Sequence, residues 1–156
     1  VCSSDLLGEL MSVLERAHPS HKTVIQDAVG GVADRSLKNG VLIVASDLLA
    51  PWEAMLDLLG GLVARGFVVI LLHVLSPEER TFPFQGAVVF GNLETGRTDL
   101  VDARGLKQHY MTALNRFLDA VKASCHDAGV FYHPVDMRES AQVSVATLLK
   151  AIEAGH

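Results

Sequence analysis

VLIVASDLLAP, residues 41–51, is the stretch whose reading decides the fold. An unbroken apolar run from Val41 to Ala45 leads into Ser46-Asp47 and then meets Pro51. The run has no polar alternation, so it predicts a strand covered on both faces, as in a parallel sheet. Asn39-Gly40 breaks the chain before it, and Pro51 suits the first turn of a following helix. WEAMLDLLGGLVAR keeps helical period as far as Gly66, and FVVILLHVL, residues 67–75, repeats the doubly covered pattern. Strand, helix, strand in this order predicts a βαβ unit with a right-handed crossover. Asp47 then has two readings: a carboxylate delivered to a site at the C-terminal edge of the sheet, or a polar exit from the core that caps the helix after Pro51.

Outward from this unit, SDLLGELMSVLERA at 4–17 places Leu6, Leu7, Leu10, Val13 and Leu14 on one helical stripe. A second helix is predicted over about 23–37, with Gly30-Gly31 as a close packing contact. After Ser76-Pro77, GAVVFGNLETGRTDLVDA predicts an antiparallel hairpin around an Asn/Gly-rich turn. Residues 104 to about 127 form the longest predicted helix, with Leu106, Tyr110, Leu114, Phe117, Leu118 and Val121 inward. VFYHPVD supplies a third core strand and residues 140–154 a closing helix. PEERTF at 77–82 and DMRES at 136–140 are read as solvated loops, with Glu139 and Ser140 capping the closing helix.

The 156 residues, 49% hydrophobic and 20% charged, suffice for one well-cored domain, and a single domain over residues 1–156 is expected. A net charge of −5 without a Lys/Arg cluster argues against nucleic acid. Cys2 and Cys125 carry no CxxC or zinc spacing, which fits a reducing, cytoplasmic setting. The longest strongly apolar run, residues 67–75, is far short of the ~20 residues that a membrane helix needs. No membrane span is expected in this stretch, although residues beyond it could attach the protein to a membrane. The chain opens on Val1 without a basic-apolar leader, so a piece of a longer protein is expected.

The three core strands end in polar residues: Ser46 and Asp47, His73 with Ser76, and His133 with Asp136. Ligand crevices of open parallel sheets lie outside the carboxyl ends of the strands, so any site is expected there. On paper, Ser46, His73 and Asp136 make a Ser/His/Asp hydrolase. Ser46 lacks the GxSxG elbow, however, and His73 sits inside an apolar run where a core histidine is the simpler reading. No GxGxxG or GxxxxGK[ST] follows a strand, and Gly30-Gly31 and Gly60-Gly61 fall inside helices, so no phosphate cradle is expected.

The order of landmarks carries a resemblance. An Asp closes VLIVASD, Pro77-Glu78-Glu79 supplies a P-x-E, FPF stands at 82–84 and LETG at 93–96, Tyr110 lies in the long helix, and GVFYHPVD precedes a Leu-rich segment. From about Leu6 to Ile152 the chain resembles the bacterial family called domain of unknown function 58. Members of that family look like von Willebrand factor A domains and are often encoded beside MoxR-type AAA ATPases. The resemblance implies an α/β fold of von Willebrand factor A-like, Rossmann-like kind: three α/β/α layers, a mainly parallel sheet, a short antiparallel hairpin, and the first strands missing. It also implies a non-catalytic protein-interaction domain serving a MoxR-type AAA ATPase in assembly or chaperone-like roles. Of the divalent-metal site of such domains, Thr23 in PSHKT matches the second element and Asp47 the third, while DxSxS, the first, is absent. At best weak Mg²⁺ binding is then expected, with no other cofactor. The strand at 41–46 would have an open edge, which implies a homodimer paired through that edge or formed by exchange of an element such as the N-terminal helix, the alternative being a monomer whose residues 4–37 cover the edge. The rival expectation is a small α/β hydrolase using Ser46, Asp47, His73 and Asp136.

Overall fold

The structure, a computed structural model, describes residues 29–32, 40–49, 51–91 and 96–138, together with Ser12 and Arg16. From residue 40 onward the described residues form β1 (Val41–Ser46), α1 (Trp52–Ala64), β2 (Val68–Leu75), α2 (Pro77–Thr81), β3 (Ala87–Gly91), β4 (Thr98–Asp102), α3 (Ala103–Asp127) and β5 (Phe131–Asp136). Strands β1, β2 and β5 form a parallel sheet in the order β1-β2-β5, and β3 and β4 form a separate antiparallel pair. The chain is therefore an α/β protein with a mainly parallel sheet and a short hairpin, as its apolar runs predict. The helices expected over 4–17 and 140–154 lie outside the described residues, apart from Ser12 and Arg16, which are helical, as are residues 29–32.

Parity along the strands sorts the core. The register sets Leu42 against Val69, Val44 against Leu71 and Ser46 against His73, and these side chains share one sheet face. That face packs under α1 through Met55, Leu56, Leu59 and Leu62, spaced as one helical stripe, and under α3 through Phe117, Val121 and Cys125. Both helices end in the left-handed glycine that such turns favour. Gly66 has φ 90° beside a Phe67 N–H donated to the Leu62 carbonyl, and Gly129 has φ 69° beside a Val130 N–H donated to the Cys125 carbonyl.

Three expectations are corrected. β1 is not covered on both faces: Val41 is 65% and Ile43 56% exposed, because β1 is an edge of the order β1-β2-β5, and only the central β2 is enclosed on both sides. A side chain at Gly30 or Gly31 would meet none of the described residues within 4 Å, whereas at Gly60 it would touch Ala128 Cβ at 3.4 Å, so the close helix contact among the described residues lies in α1. Leu106, expected inward, is 37% exposed.

PEERT is not a solvated loop but the helix α2, closed by a capping box. Ser76 Oγ accepts the Glu79 N–H at 3.2 Å, and the Ser76 N–H donates to Glu79 Oε2 at 2.7 Å. Beyond it Phe82, buried and left-handed at φ 43°, gathers a second core. Its ring lies 5.2 Å from that of Phe84, 6.1 Å from Phe90 and 4.8 Å from Tyr110, centroid to centroid. The Tyr110 hydroxyl donates to the Glu79 carbonyl at 2.9 Å, so this aromatic cluster ties the hairpin and the start of α3 to α2.

Candidate functional site

Because β1, β2 and β5 run parallel, their C-terminal ends meet at one edge, about 4.8 Å from strand to strand. Ser46, Asp47, His73 and Asp136 all arrive there, as the sequence predicts. Among the described residues, their side-chain hydrogen bonds run to other partners than one another.

Ser46 Oγ accepts the Leu48 N–H at 3.1 Å, and Asp47 Oδ1 accepts the Leu49 N–H at 3.2 Å. Both polar side chains thus fold the exit of β1 back on itself, as Ser and Asp commonly do at turns. Leu48 is buried in a left-handed conformation, φ 57°, while Leu49 is 81% exposed. The start of α1 at Pro51 takes no side-chain cap, so Asp47 does not cap that helix. Its carboxylate is exposed.

His73 is fully buried at 0% exposure. Its Nδ1 lies 2.8 Å from the Tyr132 hydroxyl, and its ring stands edge-on to Phe117 at 5.8 Å between centroids. Nε2 is buried without a hydrogen-bond partner among the described residues. Burial depresses the His73 pKa, against smaller upward pulls from the Asp47 backbone and the Glu79 and Asp47 carboxylates. Burial likewise pushes the Tyr132 hydroxyl up to about 12 and the Cys125 thiol up to about 11, so both stay protonated and Cys125 is inert packing.

Asp136 ends β5 nearly buried, 8% exposed, so it departs from the solvated loop expected over DMRES, whereas Met137 and Arg138 form an exposed turn. Arg138 grips the carboxylate through Nε on Oδ1 at 3.0 Å and Nη2 on Oδ2 at 2.6 Å, and its backbone N–H adds 3.0 Å to Oδ1. Arg80 of α2 reaches Oδ2 at 3.2 Å. The Arg138 hydrogen bonds, with Arg80 beside them, hold the Asp136 carboxyl well below the usual carboxylate range.

Among the described residues no hydrogen bond joins Ser46 to His73 or His73 to Asp136. The partner of His73 is Tyr132, which the sequence reading passed over. Its signal is parity: Tyr132 pairs with Leu71, and both occupy the covered face. Arg80 and Arg138 were also missed, because nothing local shows that α2 folds onto the end of β5. Thr23 lies outside the described residues. Asp47 alone gives one carboxylate, and no group of three or more His, Cys, Asp or Glu suited to a metal ion occurs among the described residues, so they do not by themselves make a cation site.

A surface groove of about 390 Å³ runs between α1 and α3, bordered by Trp52, Glu53, Asp57, Gly60, Ser124 and Asp127. None of the strand-end residues borders it. Among the described residues, no helix is long and apolar enough to cross a membrane.

Residues 3–117 match the family described as "Protein of unknown function DUF58", well over half of the 156 residues. No curated protein and no solved structure matches the chain.

Proposed function

This chain belongs to the DUF58 family, and on that premise we propose that it is a non-catalytic protein-binding domain of von Willebrand factor A-like kind, with the C-terminal edge of the sheet as its binding rim. One observation carries the reading. The side chains that would do chemistry are engaged in holding the edge together, whereas Asp47, Leu49 and Met137 are presented to solvent, the latter two 81% and 62% exposed. A rim with one carboxylate and flanking apolar side chains suits a protein surface. The partner class is a MoxR-type AAA ATPase, in an assembly or chaperone-like role in the cytoplasm, and the support for that class is family resemblance alone.

The divalent-cation element of this reading is incomplete. One carboxylate with one hydroxyl, Asp47 with Thr23, leaves the other octahedral positions to water and to a partner's ligand. Calorimetry with Mg²⁺ and Mn²⁺ is expected to give no submillimolar binding, and any weak signal is expected to vanish in Asp47→Ala. Tight binding that survives Asp47→Ala would place the site elsewhere.

The rival reading, an α/β hydrolase, has one observation in its favour: Ser46 and His73 are register partners on the same sheet face. A broad hydrolase screen on the purified chain decides between them. Activity abolished by Ser46→Ala or His73→Ala would overturn the binding-domain reading.

Self-association belongs to the same reading. Among the described residues β1 is paired on one side only, by β2, and its sequence VLIVAS carries no Lys, Pro or charge that would blunt an edge. Light scattering over a concentration series is expected to show dimers that Ile43→Lys disperses without loss of fold. A monomer at every concentration would refute pairing through β1.

A further inference from the structure

We propose that the groove between α1 and α3 is a docking site for a short extended segment of a partner protein that carries arginines on either side of an apolar residue. The apolar residue fills the floor and the guanidiniums meet the acidic border. This is a second surface, independent of the rim at the strand ends, because none of the strand-end residues borders it.

The two helices meet at both ends of the groove. At one end the rings of Trp52 and Phe117 stand edge to face with centroids 6.1 Å apart. At the other, a Cβ on Gly60 would lie 3.4 Å from Ala128 Cβ, just past the end of α3. Between these contacts the helices leave a groove of about 390 Å³ with the buried Leu56 and half-buried Ala128 in its lining. That volume falls in the range of roughly 300–1,000 Å³ common to ligand sites. Along α1, the distance from Trp52 to Gly60 is about 12 Å at a rise of about 1.5 Å per residue. An extended chain of about three residues covers that length at about 3.3 Å each, so the groove matches one apolar residue with a neighbour on each side.

Charge selects the occupant. Glu53 and Asp57, four apart on α1, are like charges on one helix face, an arrangement that opposes the helix. Asp127 lies in the last turn of α3, where the negative end of the helix dipole disfavours a carboxylate. Among the described residues neither Glu53 nor Asp57 has an ion pair, and Asp127 has His126, 90% exposed, at 3.5 Å. No Lys or Arg occurs among the described residues that line the groove. Each of the three carboxylates therefore stands against local helix stability, and a cation seated among them offsets all three. Arginine suits the border better than lysine, because its planar guanidinium pairs with a carboxylate through two hydrogen bonds and also stacks on an indole, here that of Trp52.

Trp52 is the single tryptophan of the chain, so its emission reports on the groove directly. The experiment titrates the full chain with the capped tripeptide Ac-Arg-Leu-Arg-NH2, with Ac-Glu-Leu-Glu-NH2 and spermidine as controls. A saturable shift of Trp52 emission is expected with the basic tripeptide alone. An equal response to the acidic tripeptide, or to spermidine, would reduce the effect to non-specific contact or counter-ion attraction and overturn the proposal. Asp57→Lys replaces an exposed residue and sets a lysine four residues after Glu53, the favoured order for a helical ion pair, so the fold is expected to stand. Its affinity for the basic tripeptide is expected to fall by about tenfold or more, and an unchanged affinity would overturn the proposal. Gly60→Leu fills the groove and is expected to abolish the shift; if that variant fails to fold, Asp57→Lys decides. Emission that changes with protein concentration before any peptide is added, and ceases to do so in Asp57→Lys, would assign the groove to a second copy of this chain and overturn the partner proposal.

Discussion

Replacing Phe82 by Ala is expected to destabilise the protein by about 3–5 kcal/mol, the range for emptying a buried aromatic site. Phe82 is 3% exposed and is the hub of its cluster, with Phe84, Phe90 and Tyr110 all within ring-contact distance. The loss should be local in its consequences. The β3–β4 pair has five register pairs and an outer face on which Val89 and Leu100, directly opposite each other, are 61% and 73% exposed. A two-stranded hairpin is marginal in water without a packed face, and its inner face packs on the Phe82 cluster. Amide exchange is therefore expected to rise steeply in β3 and β4 while the protection of β2 falls only with global stability. Equal loss of protection in the hairpin and the central sheet would show that the aromatic cluster and the main core are one cooperative unit. Phe82→Leu should cost less, since it retains most of the apolar volume.

The main sheet was legible because its signal is simple. Apolar runs without alternation, bounded by Asn39-Gly40, Pro51, Gly66 and Gly129, leave few alternatives to parallel strands joined by helices, and β1, α1, β2, α3 and β5 fall where those runs place them. The edge position of β1 was not legible from its residues, because VLIVA and VVILL look alike while only one strand sits between two neighbours. Helix α2 was overlooked although Ser76 and Glu79 form a capping-box spacing; acidic residues and a proline drew the reading toward a loop. At the strand ends, the sequence located Ser46, Asp47, His73 and Asp136 at the correct edge but not their bonds. Those depend on contacts across 56 residues, between Arg80 and Asp136, and across 59, between His73 and Tyr132. Such pairings follow from strand order and from where α2 lies, which no local pattern encodes.

Acidification is expected to weaken the fold in two separate stages, each removable by one substitution. His73 has a pKa below its model-peptide value of 6.5 in the folded chain, chiefly through burial. The unfolded chain therefore takes up this proton first as the pH drops, and stability is lost from about pH 6.5 downward until the folded pKa is passed. The loss amounts to about 1.4 kcal/mol for each unit by which the folded pKa lies below 6.5. Asp136 has its pKa depressed by the Arg138 hydrogen bonds and by Arg80, so its contribution is complete above its unfolded value of 3.8. That contribution disappears only as the pH falls below 3.8 toward the folded value. Denaturant unfolding measured from pH 8 to pH 2 should thus show a first decline near neutrality and a second in strong acid. His73→Gln keeps a donor but cannot titrate, so it is expected to flatten the first decline and leave the second. Asp136→Asn should lower stability at neutral pH, because the hydrogen bonds from Arg80 and Arg138 then lose their carboxylate, and should flatten the acid stage alone. A first decline that persists undiminished in His73→Gln would mean that another group titrates there, and that the buried imidazole is no more averse to its proton when folded than when unfolded.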